Sequence, residues 1–298
     1  MILIRFDNKG LKHLVDVTDI YQGQTAFLVG GAPSLKEQPI HRLEERGVIT
    51  MAMNNVAMHF RPTMWISGDN PNCYQPRIIG DPTLFKLAPY VHANANVDAL
   101  KLKYRQLPGM NYYLQETNVP WDEYLALRRG VPWYSNTLFA AIHVLYQLGI
   151  RRIILAGSDF GFSKDGGMYA HDVKYGDLEK KWNLDLYNSQ VRELRMLKNI
   201  FDTAGLELLD CSVNSRIKQT YWHITMDEGV EMCLSSLPRD WKPSAELPHA
   251  SKFAPYSIHE RIASWPGHNA VDLAITMPET KPEVLESQTV PPVPEGTT

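Results

Sequence analysis

Short apolar runs separated by polar turns dominate the first half of the chain. Runs at 25–29, 48–53 and 64–67 are nearly continuous in apolar residues and end in small or polar ones. Such runs are typical of buried strands in a parallel sheet, where both faces are covered. Residues 90–93 form a weaker run of the same kind. The pattern therefore predicts four strands before residue 94.

Helical spacing alternates with strands in the second half. The clearest helix is predicted over residues 135–149, with Ser135 or Asn136 as its cap and Gly149 at its end. A strand at 152–156 follows it, which completes a βαβ unit with the usual right-handed crossover. A long amphipathic helix over 178–205 and a strand at 206–210 continue the alternation.

Pro39 and His143 are unusual positions within the predicted helices. Residues 35–47 favour a short helix interrupted by Pro39. His143 lies in the middle of the 135–149 helix beside apolar neighbours, so we expect a packed or partly exposed histidine rather than a ligand.

The fold class that follows is α/β, with a Rossmann-like parallel sheet flanked by helices. Residues 1–24 are a lead-in and residues 25–277 form one domain. The stretch 94–134, rich in Tyr, Trp and Pro, is interpreted as an aromatic lid-like insertion, with a peripheral aromatic core as the alternative. Residues 278–298 are rich in proline and poor in large apolar residues, which predicts a disordered tail.

Composition narrows the class of protein only a little. The chain has 298 residues, of which 44% are hydrophobic, and a net charge of −3, so no global charge attracts nucleic acid or anionic lipid. Three widely spaced cysteines favour neither a zinc motif nor a disulfide framework, and a cytoplasmic location is expected. We also expect no signal peptide and no membrane-spanning helix.

The stretch from Thr25 to Leu35 is the first candidate binding element. An apolar strand leads into Gly30 and Gly31, and Ala32, Pro33 and Ser34 then open a segment compatible with a helix. A glycine turn between a strand and a helix brings backbone N–H groups close to a ligand, and the helix dipole favours an anion. The spacing matches neither G-x-G-x-x-G nor a Walker A loop, so a turn without a ligand is equally consistent with this stretch alone.

Other strands of the predicted sheet end in the same way. Asn54 and Asn55 follow the second strand, Gly68, Asp69 and Asn70 follow the third, and a Gly-Ser-Asp turn at 157–159 follows the strand at 152–156. Ligands of open parallel sheets bind outside the carboxyl ends of the strands. Since the same kind of residue recurs at successive strand ends, a shared binding site is favoured over ordinary strand termination.

The order of these motifs resembles a known superfamily over residues 25–217. The motifs are G-x-x-P-S-L at 30–35, the strand-end Asn54, Asp69-Asn70-Pro71, S-N-T at 135–137, and L-G-x-x-x-I-x-L-x-G-x-D-F at 148–160 with Tyr169-Ala170 downstream. One branch is the bacterial α-2,3/α-2,8-sialyltransferases, whose nucleotide loop reads G-N-G-P-S-L. The other branch is the 6-hydroxymethylpterin diphosphokinase-like proteins.

The sialyltransferase branch implies a glycosyltransferase that moves a sugar from a nucleotide-sugar donor to an acceptor hydroxyl and requires no metal cofactor. The resemblance implies nucleotide-binding roles for eleven positions: Gly30, Gly31, Ser34, Asn54, Asp69, Asn70, Ser135, Asn136, Thr137, Gly157 and Tyr169. The partners would be a nucleotide-activated donor and an acceptor that is a glycan, a small molecule or a modified nucleic-acid base.

The chain departs from that branch at the general base. The resemblance implies a histidine near 185–189, where this sequence reads Asp-Leu-Tyr-Asn-Ser. His171 and Asp185 are therefore the candidates to take the acceptor proton, and Asp159 is the third candidate catalytic residue. From its position after a strand-end glycine, Asp159→Asn is expected to remove activity with little loss of stability.

The diphosphokinase-like branch is the alternative. It implies pyrophosphoryl transfer from ATP, with Mg²⁺ held by Asp69 and Asp159 at adjacent strand ends. A non-catalytic module that binds a nucleotide or a glycan is the third interpretation, and the missing helix histidine favours it.

Overall fold

A computed structural model of the chain describes residues 1–7, 9–82, 84–134, 136–164, 166–170 and 176–237. Within these ranges the chain is a mixed α/β protein built on a nine-stranded sheet. The strands in chain order are β1 (Ile2–Phe6), β2 (Lys12–Asp16), β3 (Thr25–Val29), β4 (Ile49–Met53), β5 (Met64–Ile66), β6 (Phe85–Pro89), β7 (Asn96–Val97), β8 (Leu102–Lys103), β9 (Met110–Tyr113), β10 (Gln115–Glu116), β11 (Val131–Pro132), β12 (Arg152–Ala156) and β13 (Glu207–Asp210). The α-helices are α1 (Pro76–Ile79), α2 (Thr137–Gln147), α3 (Asp177–Thr203) and α4 (Met226–Ser235).

The order of the strands places a crevice at one point of the sheet. The order is β13-β12-β3-β4-β5-β6-β9-β1-β2, and all neighbours from β13 to β9 are parallel. From β3 the chain moves outward through β4, β5 and β6, and it later returns to the other side of β3 as β12. The carboxyl ends of β3 and β12 therefore flank a topological switch point, where open α/β sheets bind ligands.

Helices cover both faces of the sheet. On one face Phe139 and Ile142 of α2 and Leu194 and Phe201 of α3 pack against the sheet in one apolar core. On the other face Val230 of α4 belongs to a second core, together with apolar residues of the segment after β3. The alternation of apolar runs and helical spacing therefore predicted the layers correctly.

The predicted strand at 90–93 is wrong in position. The strand is β6 (Phe85–Pro89), and residues Tyr90–His92 form a short 3₁₀ helix. Lys86 interrupts the apolar run of β6 and is fully buried, where its ammonium donates hydrogen bonds to the backbone carbonyls of Ile79 and Asp81. Burial lowers the pKa of Lys86 to about 7. A buried lysine has no sequence signature, so the pattern missed this strand.

The segment 94–134 and the lead-in also differ from their interpretation. The segment contains β9, which lies inside the sheet between β6 and β1, and β1 and β2 add antiparallel strands at the far edge. Trp121 and Tyr134 stack with ring centroids 3.8 Å apart, and the Tyr124 hydroxyl donates to the Phe139 carbonyl of α2. These rings fill a core beside α2, which is the alternative that the sequence left open.

The helix predicted over 35–47 consists of two 3₁₀ helices, Pro33–Glu37 and Ile40–Glu44. Pro39 separates them, as the sequence indicated. The glycine turn after β3 therefore opens a single short 3₁₀ helix, and the helix dipole that the sequence suggested at this point has little strength.

The cysteines, the length of the helices and the tail were also the subject of predictions from the sequence. Cys73, Cys211 and Cys233 are free thiols. None of the described helices combines the length and the apolar character needed to cross a bilayer. The tail at 278–298 lies outside the described residues.

His143 is completely buried in α2. Its Nδ1 donates to the Tyr124 carbonyl at 2.8 Å, and burial lowers the pKa of the imidazole to about 4. The histidine is therefore a neutral packed residue, in agreement with the sequence expectation.

The first prediction follows from this burial. Between pH 6.5 and about 4 the unfolded chain protonates His143 and the native state does not. The free energy of unfolding is therefore highest above pH 6.5, where His143 is neutral in both states. It falls as the pH is lowered toward about 4, by about 3 kcal/mol in total. In His143→Asn, whose amide can keep the bond to the Tyr124 carbonyl, urea unfolding from pH 8 to pH 4 is expected to show a shallower pH slope. Curves that stay parallel to those of the wild type would contradict the assignment.

Candidate functional site

A cavity of about 400 Å³ opens at the carboxyl ends of β3, β4, β5 and β12. It therefore lies at the switch point of the sheet. Its walls come from the four strand ends, the start of α2, the segment before α3 and the first half of α3. The lining residues are Gly30, Gly31, Ala32, Met53, Asn54, Asn55, Val56, Asp69, Cys73, Tyr74, Asn136, Thr137, Leu138, Gly157, Ser158, Asp159, Phe160, Tyr169, Asn183, Leu186, Tyr187 and Gln190.

Two glycines at neighbouring strand ends form the floor of the cavity. A Cβ on Gly30 would lie 2.5 Å from the Gly157 carbonyl oxygen, and a Cβ on Gly157 would lie 2.3 Å from the Gly30 carbonyl oxygen. Gly157 also has φ +57°. The Ala32 N–H donates to the Gly157 carbonyl at 2.9 Å. The backbones thus approach more closely than any side chain permits, and this contact sets the shape of the floor.

Gly31 differs from these two glycines because it faces open space. Among the described residues, a Cβ at Gly31 would meet only the Tyr169 ring, at 3.5 Å, and Val56, at 4.0 Å. Its carbonyl accepts a hydrogen bond from the Ala170 N–H at 2.7 Å, whereas its own N–H has no acceptor among the described residues. Gly31 therefore offers the cavity a backbone donor with room around it.

Ser34 and Asp159 hold the glycine turn from behind. The Ser34 N–H donates to Asp159 Oδ2 at 3.0 Å, and the Ser34 hydroxyl donates to Asp159 Oδ1. Ser34 has no exposed surface and Asp159 has 3%. Burial raises the pKa of Asp159, while the two bonds from Ser34 oppose that rise. The pair ties the 3₁₀ helix after β3 to the turn after β12.

Asn54 connects three walls of the cavity. It has the left-handed φ of +55° that asparagine tolerates, and its Oδ1 accepts from the Thr137 hydroxyl of α2 at 3.4 Å. The Tyr74 hydroxyl lies 3.3 Å from both Asn54 Oδ1 and Asp69 Oδ2. It also accepts the Asp69 N–H at 3.0 Å. Burial raises the pKa of Tyr74, so its hydroxyl stays protonated and remains a donor.

The amino end of α2 faces the cavity. Asn136 caps the helix, since its Oδ1 accepts from the Phe139 N–H at 3.1 Å, and Thr137 begins the first turn. The α2 dipole therefore places partial positive charge at the cavity wall, which the short 3₁₀ helix after Gly31 does not. Ser135 lies outside the described residues.

Tyr169 covers the glycine turn. Its ring lies over Gly31, and its hydroxyl is hydrogen-bonded to that of Tyr187 on α3. Burial raises the pKa of Tyr169. Tyr169 thus contacts both the glycine turn and α3.

The sequence placed Asp185 of α3 at the site but missed the residues of this helix that line the cavity. Asn183, Leu186, Tyr187 and Gln190 line the cavity, and their spacing of three, one and three residues marks one face of a helix. The mixture of polar and apolar residues on that face could have indicated a cavity wall, because a helix face that packs only against the core carries apolar residues alone. Asp185 is exposed and is not among the lining residues.

Two further expected site residues fall elsewhere. Asn70 is exposed and caps the 3₁₀ helix Pro71–Cys73, where its Oδ1 accepts the Asn72 N–H at 3.0 Å. It is not among the lining residues. His171 lies outside the described residues.

The described carboxylates fit a Mg²⁺ ion poorly. Both oxygens of Asp159 already accept hydrogen bonds from Ser34, and among the described lining residues Asp69 alone presents an exposed carboxylate to the cavity. Over the described ranges no cluster of three or more His, Cys, Asp or Glu side chains is placed to hold a metal. Mg²⁺ prefers several oxygen ligands in near-octahedral geometry, which this pair does not supply.

Neutral donors dominate the lining. Neither lysine nor arginine occurs among the described lining residues, and Asp69 and Asp159 are the acidic ones. The available donors are backbone N–H groups, amides and hydroxyls of Asn, Thr and Tyr, and the amino end of α2. Such a cavity suits a polar ligand of low negative charge.

Comparison with known proteins adds little to this geometry. No family model and no curated protein matches the chain. A solved structure entitled "Crystal Structure of a Mammalian Sialyltransferase" is similar to it with a TM-score of 0.35 and 13% sequence identity, over 65% of this chain and 70% of that chain. A likeness this weak assigns neither a substrate nor an activity to the chain.

Proposed function

We propose that the chain is a glycosyltransferase that moves a sugar from a nucleotide-sugar donor to an acceptor hydroxyl. One observation carries the proposal: the cavity at the switch point, with the Gly30–Gly157 contact as its floor and neutral donors from four strand ends around it. Its volume of about 400 Å³ is within the usual range for a small-molecule site. A nucleotide bound there would place its phosphate against the Gly31 N–H and the amino end of α2.

The chemistry requires positioning more than reactive side chains. The bond between the anomeric carbon of the sugar and the phosphate oxygen breaks, and the acceptor oxygen forms the new bond to that carbon. The leaving phosphate keeps the electron pair, and the donors at Gly31 and at the start of α2 would stabilise its charge. The acceptor proton passes to a base. The acceptor is a glycan, a small molecule or a modified nucleic-acid base, and we propose that the reaction takes place in the cytoplasm.

Two residues are the candidates for that base. Asp69 is an exposed carboxylate on the cavity wall, and the Tyr74 hydroxyl lies within 3.3 Å of its Oδ2. His171 is one of the two candidates that the sequence offers for the base. Asp185 is the weaker candidate for the base, because the face of α3 that lines the cavity carries Asn183 and Tyr187 and not Asp185.

The second prediction concerns ligand binding. Thermal unfolding of the protein is followed with CMP, CDP, UDP, GDP and ATP, each with Mg²⁺ and with EDTA. A ligand at one hundred times its dissociation constant should add about 2.7 kcal/mol to the free energy of unfolding. We expect stabilisation by a pyrimidine or guanosine nucleotide that persists in EDTA.

The control is Gly31→Trp, which fills the open space at Gly31 beside Tyr169 and should abolish the nucleotide shift in a folded protein. Stabilisation only by ATP with Mg²⁺ would favour pyrophosphoryl transfer instead. Absence of any shift would contradict a nucleotide site. Binding without turnover of any donor would favour the non-catalytic module.

The third prediction separates the two candidate bases. With the donor identified by the nucleotide panel, Asp69→Asn and His171→Ala are compared in donor hydrolysis or transfer. Loss of the base should lower kcat by about a hundredfold or more and leave donor binding nearly unchanged. If a substitution leaves kcat unchanged, the residue that it replaces is not the general base. Asp185→Asn is the matched control and is expected to leave kcat unchanged.

A further inference from the structure

Strand β2 forms one edge of the sheet and is exposed there. On one side it pairs with β1 in the register Ile2↔Asp16, Ile4↔Leu14 and Phe6↔Lys12. Among the described strands none pairs with its other side. Leu14 of this strand is 69% exposed. An open edge with an exposed apolar side chain is a surface on which another strand can pair.

The backbone bonds next to β2 show which of its residues face outward. The Val17 N–H donates to the Met1 carbonyl, and the Asp7 N–H donates to the Leu11 carbonyl. In an antiparallel pair the hydrogen-bonded residues alternate, so the odd-numbered residues of β2 bond to β1. Lys12, Leu14 and Asp16 therefore direct their N–H and C=O groups away from the sheet.

These outward residues are complementary to a second copy of themselves. If two β2 strands lie antiparallel with Leu14 opposite Leu14, Lys12 of each copy lies opposite Asp16 of the other. All three positions then form hydrogen-bonded pairs in one register. Opposite charges on directly opposed residues of antiparallel strands attract, and the central leucines bury apolar surface. The Lys12 ammonium lies 4.5 Å from the centre of the Tyr90 ring, which keeps it beside the strand.

We propose that the protein forms a symmetric homodimer in which two β2 strands pair antiparallel about Leu14, so that the two sheets join into one. The strand is only five residues long, and a self-complementary interface of this kind closes on itself as a twofold dimer. Lysine at a sheet edge normally discourages pairing, but here it meets an aspartate in the partner.

Analytical ultracentrifugation from about 1 μM to about 1 mM tests the proposal. The wild type is expected to move from the monomer, 33.9 kDa, to twice that mass as the concentration rises. A protein that remains monomeric over the whole range would overturn the proposal, as would a dimer that the β2 variants leave intact.

Charge reversal gives the sharpest version of the test. Lys12→Asp places two aspartates opposite each other, and Asp16→Lys places two lysines opposite each other, so each variant alone should dimerise about tenfold more weakly or worse. An equal mixture of the two variants restores both ion pairs and should form a heterodimer. Lys9→Asp, in the turn before β2, is the matched control and should dimerise like the wild type.

Leu14→Pro tests the backbone part of the interface. Its N–H points outward, so proline removes a hydrogen bond of the dimer and none of the bonds to β1. Thermal unfolding at low concentration shows whether the variant folds. A folded, monomeric Leu14→Pro together with the heterodimer of the charge variants establishes the β2 interface, and a Leu14→Pro that dimerises like the wild type refutes it.

Discussion

Gly157→Ala is expected to destabilise the protein by about 4 kcal/mol. The residue has φ +57°, and a side chain in the left-handed region costs about 1–2 kcal/mol. The added Cβ would also lie 2.3 Å from the carbonyl oxygen of Gly30, a backbone atom of the adjacent central strand. Overpacking of this kind costs about 1–3 kcal/mol more, because the sheet must move to relieve it. Urea unfolding at pH 7.5 measures the loss.

Two other glycines separate the cost of the positive φ from the cost of overpacking. Gly166 has φ +82°, and apart from its chain neighbours no atom of the described residues lies within 4 Å of its Cβ position, so Gly166→Ala should be destabilised only by the cost of the backbone conformation. In Gly30→Ala the new Cβ would lie 2.5 Å from the Gly157 carbonyl oxygen, but φ is not positive there. This variant should therefore be destabilised by overpacking alone. If Gly157→Ala and Gly166→Ala are equally stable, the ends of β3 and β12 are not in contact, and the two glycines do not form the floor of the cavity.

The sequence contained most of the information on this floor. Apolar runs ending in glycine identified β3 and β12, and the rule for parallel sheets placed a ligand at their carboxyl ends. The pairing of Gly30 with Gly157 was not predictable, because nothing in the sequence states that β12 returns to lie beside β3. Strand order depends on contacts between residues far apart in the chain, which local patterns do not encode.

The elements that the sequence misplaced were also decided by tertiary contacts. Strand β6 was missed because Lys86 is buried in it, and its ammonium is satisfied by backbone carbonyls from a neighbouring turn. The composition of the aromatic segment leaves a lid and a peripheral core equally open, and in the structure its rings pack against α2. Composition indicates that a segment is rich in large rings, but only the tertiary packing decides whether those rings face solvent or a core.

The sequence makes Asp159 a candidate catalytic residue, and the structure places it against Ser34 behind the glycine turn. Its two oxygens bond to the N–H and the hydroxyl of Ser34, and both residues are buried. A carboxylate held in this way positions the glycine turn. We therefore expect Asp159 to act on the ligand through the position of Gly31 and its N–H, rather than by direct contact with the reacting atoms.

Asp159→Ala is accordingly expected to destabilise the protein by about 3 kcal/mol, since it leaves two buried donors of Ser34 without acceptors. Asp159→Asn keeps the shape and one acceptor, so its loss should be smaller. Ser34→Ala and the double variant complete a cycle whose coupling free energy should be about 1–3 kcal/mol, measured by urea unfolding.

Ligand binding distinguishes a positioning role from a catalytic one. If Asp159 positions the turn, Ser34→Ala should weaken the nucleotide-induced thermal shift in parallel with Asp159→Asn, because either change loosens the same turn. If Asp159 takes part in the chemistry, Asp159→Asn should abolish turnover while Ser34→Ala retains it and the nucleotide shift of both variants stays that of the wild type. The comparison uses the same protein, the same nucleotide and one hydrogen-bonded pair, so a difference between its two members is attributable to the carboxylate itself.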